Sequence, residues 1–185
     1  DTAPLAPDYE FMLKELSREF QTGLNALRKL TDGKLHLNID DTNPSTTAFT
    51  HMQGVQINKF RGPHPAGNVG TQIHFLDPVN KGETVWFIAP QDVVAVGRLF
   101  IEGRYDASKI VALTGSEVKA PKYYKTIAGA CIRSLIQDNL KSENVRIISG
   151  NVLTGKKTEA DNFIGYYDSQ VTVIPEGDHF DFLGW

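Results

Sequence analysis

Two apolar periodicities alternate along the first hundred residues, and that alternation restricts the fold more than any other feature. Met12, Leu13, Leu16, Phe20, Leu24, Leu27 and Leu30 recur mostly at spacings of three and four, the period of a helix with one buried stripe. Asp8, after Pro7, stands where an N-cap is needed. Arg28 and Lys29 stand where cations favour the negative end of a helix dipole, and Gly33 follows as a stop. The pattern predicts one helix of about 20 residues. The period then drops to two: Leu35, Leu37 and Ile39 alternate with His36 and Asn38, a half-buried strand.

The polar stretch from Asp40 to Gly54, with Asn43-Pro44-Ser45 inside it, is predicted as a loop. Val55, Ile57 and Phe60 predict a second short strand. Gly62-Pro63-His64-Pro65-Ala66-Gly67-Asn68-Val69-Gly70 is too rich in breakers for regular structure, and Thr71–Leu76 opens a short helix that Asp77-Pro78 stops. Thr84, Val85, Trp86, Phe87 and Ile88 are strand formers, so Glu83–Ala89 is predicted as a strand. Pro90 then opens a largely buried helix that Gly103 ends. This order describes an open α/β layer over residues 1–104, a partial Rossmann-like sheet whose leading strands are missing. The start at Asp1, without Met, is read as a boundary inside a longer protein.

A second unit is expected over residues 105–157. Lys109–Thr114 is a strand, Gly115-Ser116 turns the chain, and Tyr123–Ile127 continues the return. A helix with Ile132, Leu135, Ile136 and Leu140 on one face follows, and Val145–Ser149 is a strand closed by Gly150. Strand, strand, helix, strand describes a β-grasp module. Residues 158–185 are expected to return as a strand and tail, with Tyr166, Tyr167, Val171 and Val173 in strand context.

Composition closes off several functions. The net charge of -3 gives no basic surface for nucleic acid. No apolar run reaches the roughly 20 residues of a membrane span. The one cysteine, Cys131, cannot hold an iron–sulphur cluster or a paired-cysteine zinc site. Cys131 opens the second unit's helix, where its thiol is either activated or simply a small buried hydrophobe.

The glycine-rich segment is the main candidate site. Gly62, Gly67 and Gly70 would permit close backbone approach to a ligand, but their spacing fits neither the dinucleotide fingerprint nor the P-loop, and Pro63 and Pro65 remove two donors. The alternatives are a rigid structural or interface loop and a ligand loop. His64 and His74 bracket it, with Asp77 three residues on. Their spacing fits no zinc pattern, so proton handling or a quinone contact is weighed against ordinary core or surface histidines. Asp40 and Asp41 follow a strand end, a common ligand position that is also a common solvated turn. Trp86 and Trp185 are read as core or docking aromatics.

Gly-Pro-His-Pro-Ala-Gly at 62–67 and Gly70-Thr71-Gln72-Ile73-His74-Phe75-Leu76-Asp77-Pro78-Val79 resemble the A-subunit family of the bacterial sodium-translocating NADH:quinone oxidoreductases. Asp1-Thr2-Ala3-Pro4-Leu5-Ala6, Gln91-Asp92-Val93, Arg146-Ile147-Ile148-Ser149-Gly150, Val152-Leu153-Thr154-Gly155 and Phe182-Leu183-Gly184-Trp185 resemble further elements of that family. One departure stands at Gln72, where the family pattern has His. The resemblance implies a peripheral subunit on the cytoplasmic side of the bacterial inner membrane, built of a barrel-like start, a Rossmann-like domain, a soluble-ligand-binding β-grasp module and a helical end. It implies other complex subunits as partners, with NADH and flavins bound elsewhere and quinone as a possible contact. His64, Gly67 and His74 are the candidates for that contact. The expectation is a scaffold with no redox cofactor, catalytic residue or metal of its own. The rivals are a quinone- or small-ligand-binding module and a free-standing enzyme using His64, His74 and Asp77.

Overall fold

The computed structural model describes residues 1–42 and 49–178. The chain divides into two compact units. One takes in Asp1–Ala3 and Asp8–Ala107, the other Pro4–Pro7 and residues from Ser108 onward.

In the first unit the Asp8 carboxylate accepts from the N–H groups of Glu10 (2.9 Å) and Phe11 (3.2 Å), capping α1 (Tyr9–Leu13) as expected. The expected single helix is broken, however. The chain turns at Leu16, whose N–H donates to the Leu13 carbonyl, and restarts as α2 (Ser17–Leu27). Met12 and Leu13, adjacent in α1, are both buried. α2 ends at Leu27, so Arg28 and Lys29 lie beyond its last turn and Gly33 stops nothing. β1 (His36–Asp40) and β2 (Gln56–Phe60) pair in parallel, with Leu37 opposite Ile57 and Asn38 opposite Asn58. The expected loop at Asn43-Pro44-Ser45 lies outside the described residues.

α3 (Val69–Leu76) follows the proline-rich turn and buries none of its residues. The expected strand at Glu83–Ala89 is not formed. Among the described residues the segment has no strand partner, and Trp86 is 90% exposed. Strand propensity was present, but a strand needs an adjacent backbone to pair with. Trp86 is therefore no core aromatic; Trp185 lies outside the described residues. α4 (Pro90–Glu102) opens on its proline and ends on left-handed Gly103, as expected. It is buried on one side only: Val93, Val94 and Gly97 are covered, whereas Leu99 and Phe100 face solvent. α2 and α4 touch backbone to backbone. A Cβ on Gly23 would lie 2.0 Å from the Val93 carbonyl oxygen, and one on Gly97 would lie 1.8 Å from that of Glu19. Phe20, Leu24, Val93 and Val94 make the core there, with Phe49 set against Phe20 at 4.9 Å between ring centroids.

The second unit is a five-stranded mixed sheet in the order β4-β3-β7-β5-β6. Its strands are β3 (Ser108–Thr114), β4 (Lys122–Ile127), β5 (Val145–Ser149), β6 (Lys156–Thr158) and β7 (Gln170–Pro175). β7 runs parallel to β3 and antiparallel to β5, while β4 and β6 form antiparallel edges. The returning segment thus fills the centre of the sheet, and Gln170–Val173 are all buried. Tyr166 and Tyr167 lie before this strand, exposed. The helix expected through Leu140 is a single turn, α5 (Arg133–Ile136); Leu140 instead bridges to Val118. Four residues suffice because Leu135 and Ile136 already reach the core of Val111, Leu113, Ile132, Ile147, Val171 and Val173. No helix among the described residues is long and apolar enough to cross a membrane.

Candidate functional site

β1 and β2 carry amides on one face, because side chains two apart on a strand point the same way. Gln56 Nε2 donates to Asn58 Oδ1 (3.2 Å), and Asn58 Nδ2 donates to Asn38 Oδ1 (2.9 Å) and lies 3.1 Å from His36 Nδ1. Asn38 Nδ2 donates to Gln72 Oε1 (3.0 Å) on α3, and Gln72 Nε2 donates to the Ala66 carbonyl (3.3 Å) in the proline-rich turn. A chain of side-chain hydrogen bonds therefore runs from the sheet to the candidate loop. Gln72 thus joins helix, sheet and loop.

The loop itself is held at its other side by the start of the chain. Gly67 N–H donates to Thr2 Oγ1 (2.9 Å), and a Cβ at Gly67 would lie 2.5 Å from Thr2 N, so only glycine fits. His64 is exposed, with Nδ1 3.4 Å from Thr2 Oγ1. The His64–Pro65 peptide is cis. Ala66 N–H donates to the Pro63 carbonyl (2.9 Å) and Asn68 N–H to that of Pro65 (2.8 Å). His74 is exposed and packs edge-on against Phe75 at 5.4 Å; Asp77 is exposed. Among the described residues no group of three or more His, Cys, Asp or Glu side chains is placed to hold a metal ion.

The paired carboxylates have separate duties. Asp40 accepts from Thr42 Oγ1 (2.6 Å) and Thr42 N–H (2.8 Å), and these bonds hold its carboxyl below the ordinary range. Asp41 pairs with Lys59 at 2.8 Å. Cys131 lies ahead of the single turn of α5 rather than opening a long helix, is partly exposed, and bridges to Phe163.

Two polar arrangements in the second unit were not legible in sequence. Lys109 is buried at 7% exposure, bonds to the Tyr166 carbonyl and lies 5.8 Å from the centre of that ring. Ser149 Oγ donates to Asp168 Oδ2 (2.5 Å) and accepts from Gly165 N–H (2.9 Å). A lysine opening an apolar strand carries no local mark of burial, because its partner lies 57 residues on.

Residues 1–105 match the family model described as the NqrA second alpha/beta domain, and residues 110–160 match that of the NQRA C-terminal domain. The chain belongs to the NqrA family. It is similar along its whole length to the A subunit of the Na(+)-translocating NADH-quinone reductase of Rhodopirellula baltica (44% identity over 187 residues). The same holds for its counterpart from Haemophilus influenzae strain PittGG, at 44% over 188 residues, and from Pasteurella multocida, at 40% over 190. In each case the chain spans 41% of the relative's length. The NqrA resemblance expected from Gly62–Gly67 thus holds across both units.

Proposed function

We propose that this chain is a scaffolding part of the NqrA subunit in a sodium-translocating NADH:quinone reductase, peripheral on the cytoplasmic side of the membrane, with no redox centre of its own. Its partners are the other subunits of that complex. In this reading the first unit is Rossmann-like and the second, with order β4-β3-β7-β5-β6, is a β-grasp module of the soluble-ligand-binding kind.

The observation that carries it is the use of the loop's hydrogen-bonding groups. A phosphate cradle needs several backbone N–H groups free and converging. Here Pro63 and Pro65 have none, and those of Ala66, Gly67 and Asn68 are taken by Pro63, Thr2 and Pro65. The amide chain through Gln72 further ties the loop down. Such a turn supports shape and contact rather than a dinucleotide. Purified protein is expected to carry no flavin absorbance and to bind no NADH at micromolar concentration. Stoichiometric flavin or tight NADH binding would overturn the reading.

One feature favours a quinone contact as a second reading: His64 presents its imidazole at the surface of an anchored turn. On that reading a quinone carbonyl accepts a hydrogen bond near His64 and Gly67, with His74 a further candidate. His64→Ala then weakens quinone-analogue binding about tenfold, as expected for losing one hydrogen bond of ~1.4 kcal/mol; unchanged binding removes this site.

A further inference from the structure

We propose that one end of the second unit's sheet is the surface through which this chain meets another protein subunit of the reductase complex, a proposal that rests on the assembly role argued above. The strand order brings three loops to that end. β4 and β5 finish there while β3, β6 and β7 begin there, so the stretches 127–131, 150–155 and 163–169 stand side by side. Ile127, Val152, Leu153, Phe163, Tyr166 and Tyr167 lie on them and are all exposed, Phe163 at 66% and Tyr167 at 80%. Among the described residues of this unit, only Leu5 and Tyr123 are other exposed large hydrophobic side chains. The opposite end is polar. There Lys141 Nζ donates to the Ser116 carbonyl (2.6 Å), Ser142 Oγ to the Glu117 carboxylate (3.0 Å) and Asn144 Nδ2 to that of Asp178 (2.8 Å).

The loops are tied to one another. Ile164 N–H donates to the Ala130 carbonyl (3.0 Å), Ile132 N–H to that of Asn162 (2.9 Å), Gly150 N–H to that of Gln170 (2.8 Å) and Gly165 N–H to Ser149 Oγ (2.9 Å). A surface ordered in advance loses little freedom when a rigid partner covers it. Tyrosine and phenylalanine suit such a contact, since each brings a large apolar face at small entropic cost. Charge selects protein over lipid. The loop Glu159–Ser169 holds Glu159, Asp161 and Asp168 and no Lys or Arg, while Arg133 is bonded to Asp161 and Lys109 to the Tyr166 carbonyl. An anionic bilayer surface is drawn to clusters of cations, and none is presented here. Area selects a larger assembly over a pair of copies. At 150–250 Å² for each aromatic side chain, the six residues leave on the order of 500 Å² uncovered. That matches the largest patches on monomers, which are often functional. It falls short of the roughly 800 Å² that each partner buries in a stable pair. A subunit held at further surfaces of a complex meets that need; two copies touching only here do not.

The test is photo-cross-linking in the assembled complex, using the subunit at its relatives' full length with p-benzoylphenylalanine in place of Tyr167. Irradiation is expected to join it to a different subunit, and the same probe in place of Glu143 at the polar end is expected to join it to none. An adduct with lipid, with a second copy or within the same polypeptide would overturn the proposal, as would no adduct at all. If the subunit co-purifies with the complex yet Tyr167 finds no other subunit, this surface is wrong and the assembly reading stands. If it does not co-purify, both fall. A Phe163→Asp, Tyr167→Asp double variant is expected to lower recovery of the other subunits about tenfold or more, as losing central aromatic anchors does, with the melting temperature of the purified full-length subunit unchanged. Undiminished recovery overturns the proposal too.

Discussion

Glu176 shows how one side chain can secure several strands. It follows β7, and its carboxylate accepts from Lys157 Nζ of β6 (2.6 Å) and from Arg146 Nη2 of β5 (3.1 Å). The Lys157 bond and then the Arg146 bond hold its carboxyl below the ordinary 4.5. A carboxyl depressed on folding stabilises above its unfolded value, and that stabilisation is lost as pH falls through the folded value. Stability is therefore expected to fall on acidification below about pH 4.5, and Glu176→Gln is expected to flatten that part of the profile. Urea denaturation at a series of pH values checks this; an unaltered acid limb in the variant would exclude it. Other residues were readable from neighbours alone. Asp8, Pro90 and Gly103 act within one helical turn of where they stand, and each does what its type implies. Lys109 and Thr172 were opaque. Thr172 is fully buried, its hydroxyl donating to the Gly150 carbonyl (2.8 Å), a partner that only the sheet brings near.

Among the elements, the α2–α4 contact depends on two glycines that no periodicity singles out. Gly23→Ala or Gly97→Ala would drive a methyl group into a carbonyl oxygen of the facing helix, so the helices must separate. Each is expected to destabilise by about 1–3 kcal/mol, the range of overpacking. Gly70→Ala in α3 meets no atom within 4 Å and should be neutral or stabilising by up to about 1 kcal/mol. Thermal melts of the three variants distinguish packing from propensity, since propensity alone would make all three stabilising. The first helix is broken where its periodicity gave no sign of a stop. Its spacings suited one long helix, but the chain turns at Leu16 and restarts at Ser17. Legibility ended where a segment's state depended on what it met: Glu83–Ala89 had the residues of a strand without a described partner, and Leu140 became a bridge residue opposite Val118.

Over the whole molecule, the second unit is closed by its last strand. β7 joins β3 to β5, so removing it leaves β4-β3 and β5-β6 as separate pairs. A chain ending at residue 158 is expected to lose the cooperative melting of this unit, because an isolated two-stranded pair is marginal in water. Exchange protection in β3 and β5 reports the loss; full protection in the truncated chain would show that the core holds without Val171 and Val173. From sequence alone came the α/β class, the NqrA resemblance, most strand positions, the caps at Asp8, Pro90 and Gly103, and the loop around His64 and Gly67. All of these rest on local backbone preference or short spacing. The tertiary structure alone decided that the returning strand is central, that Gln72 ties loop to sheet, that Lys109 is buried, and that Trp86 is uncovered. Each depends on two stretches of chain distant in sequence meeting, or not meeting, in space, and burial is a property of that meeting rather than of either stretch.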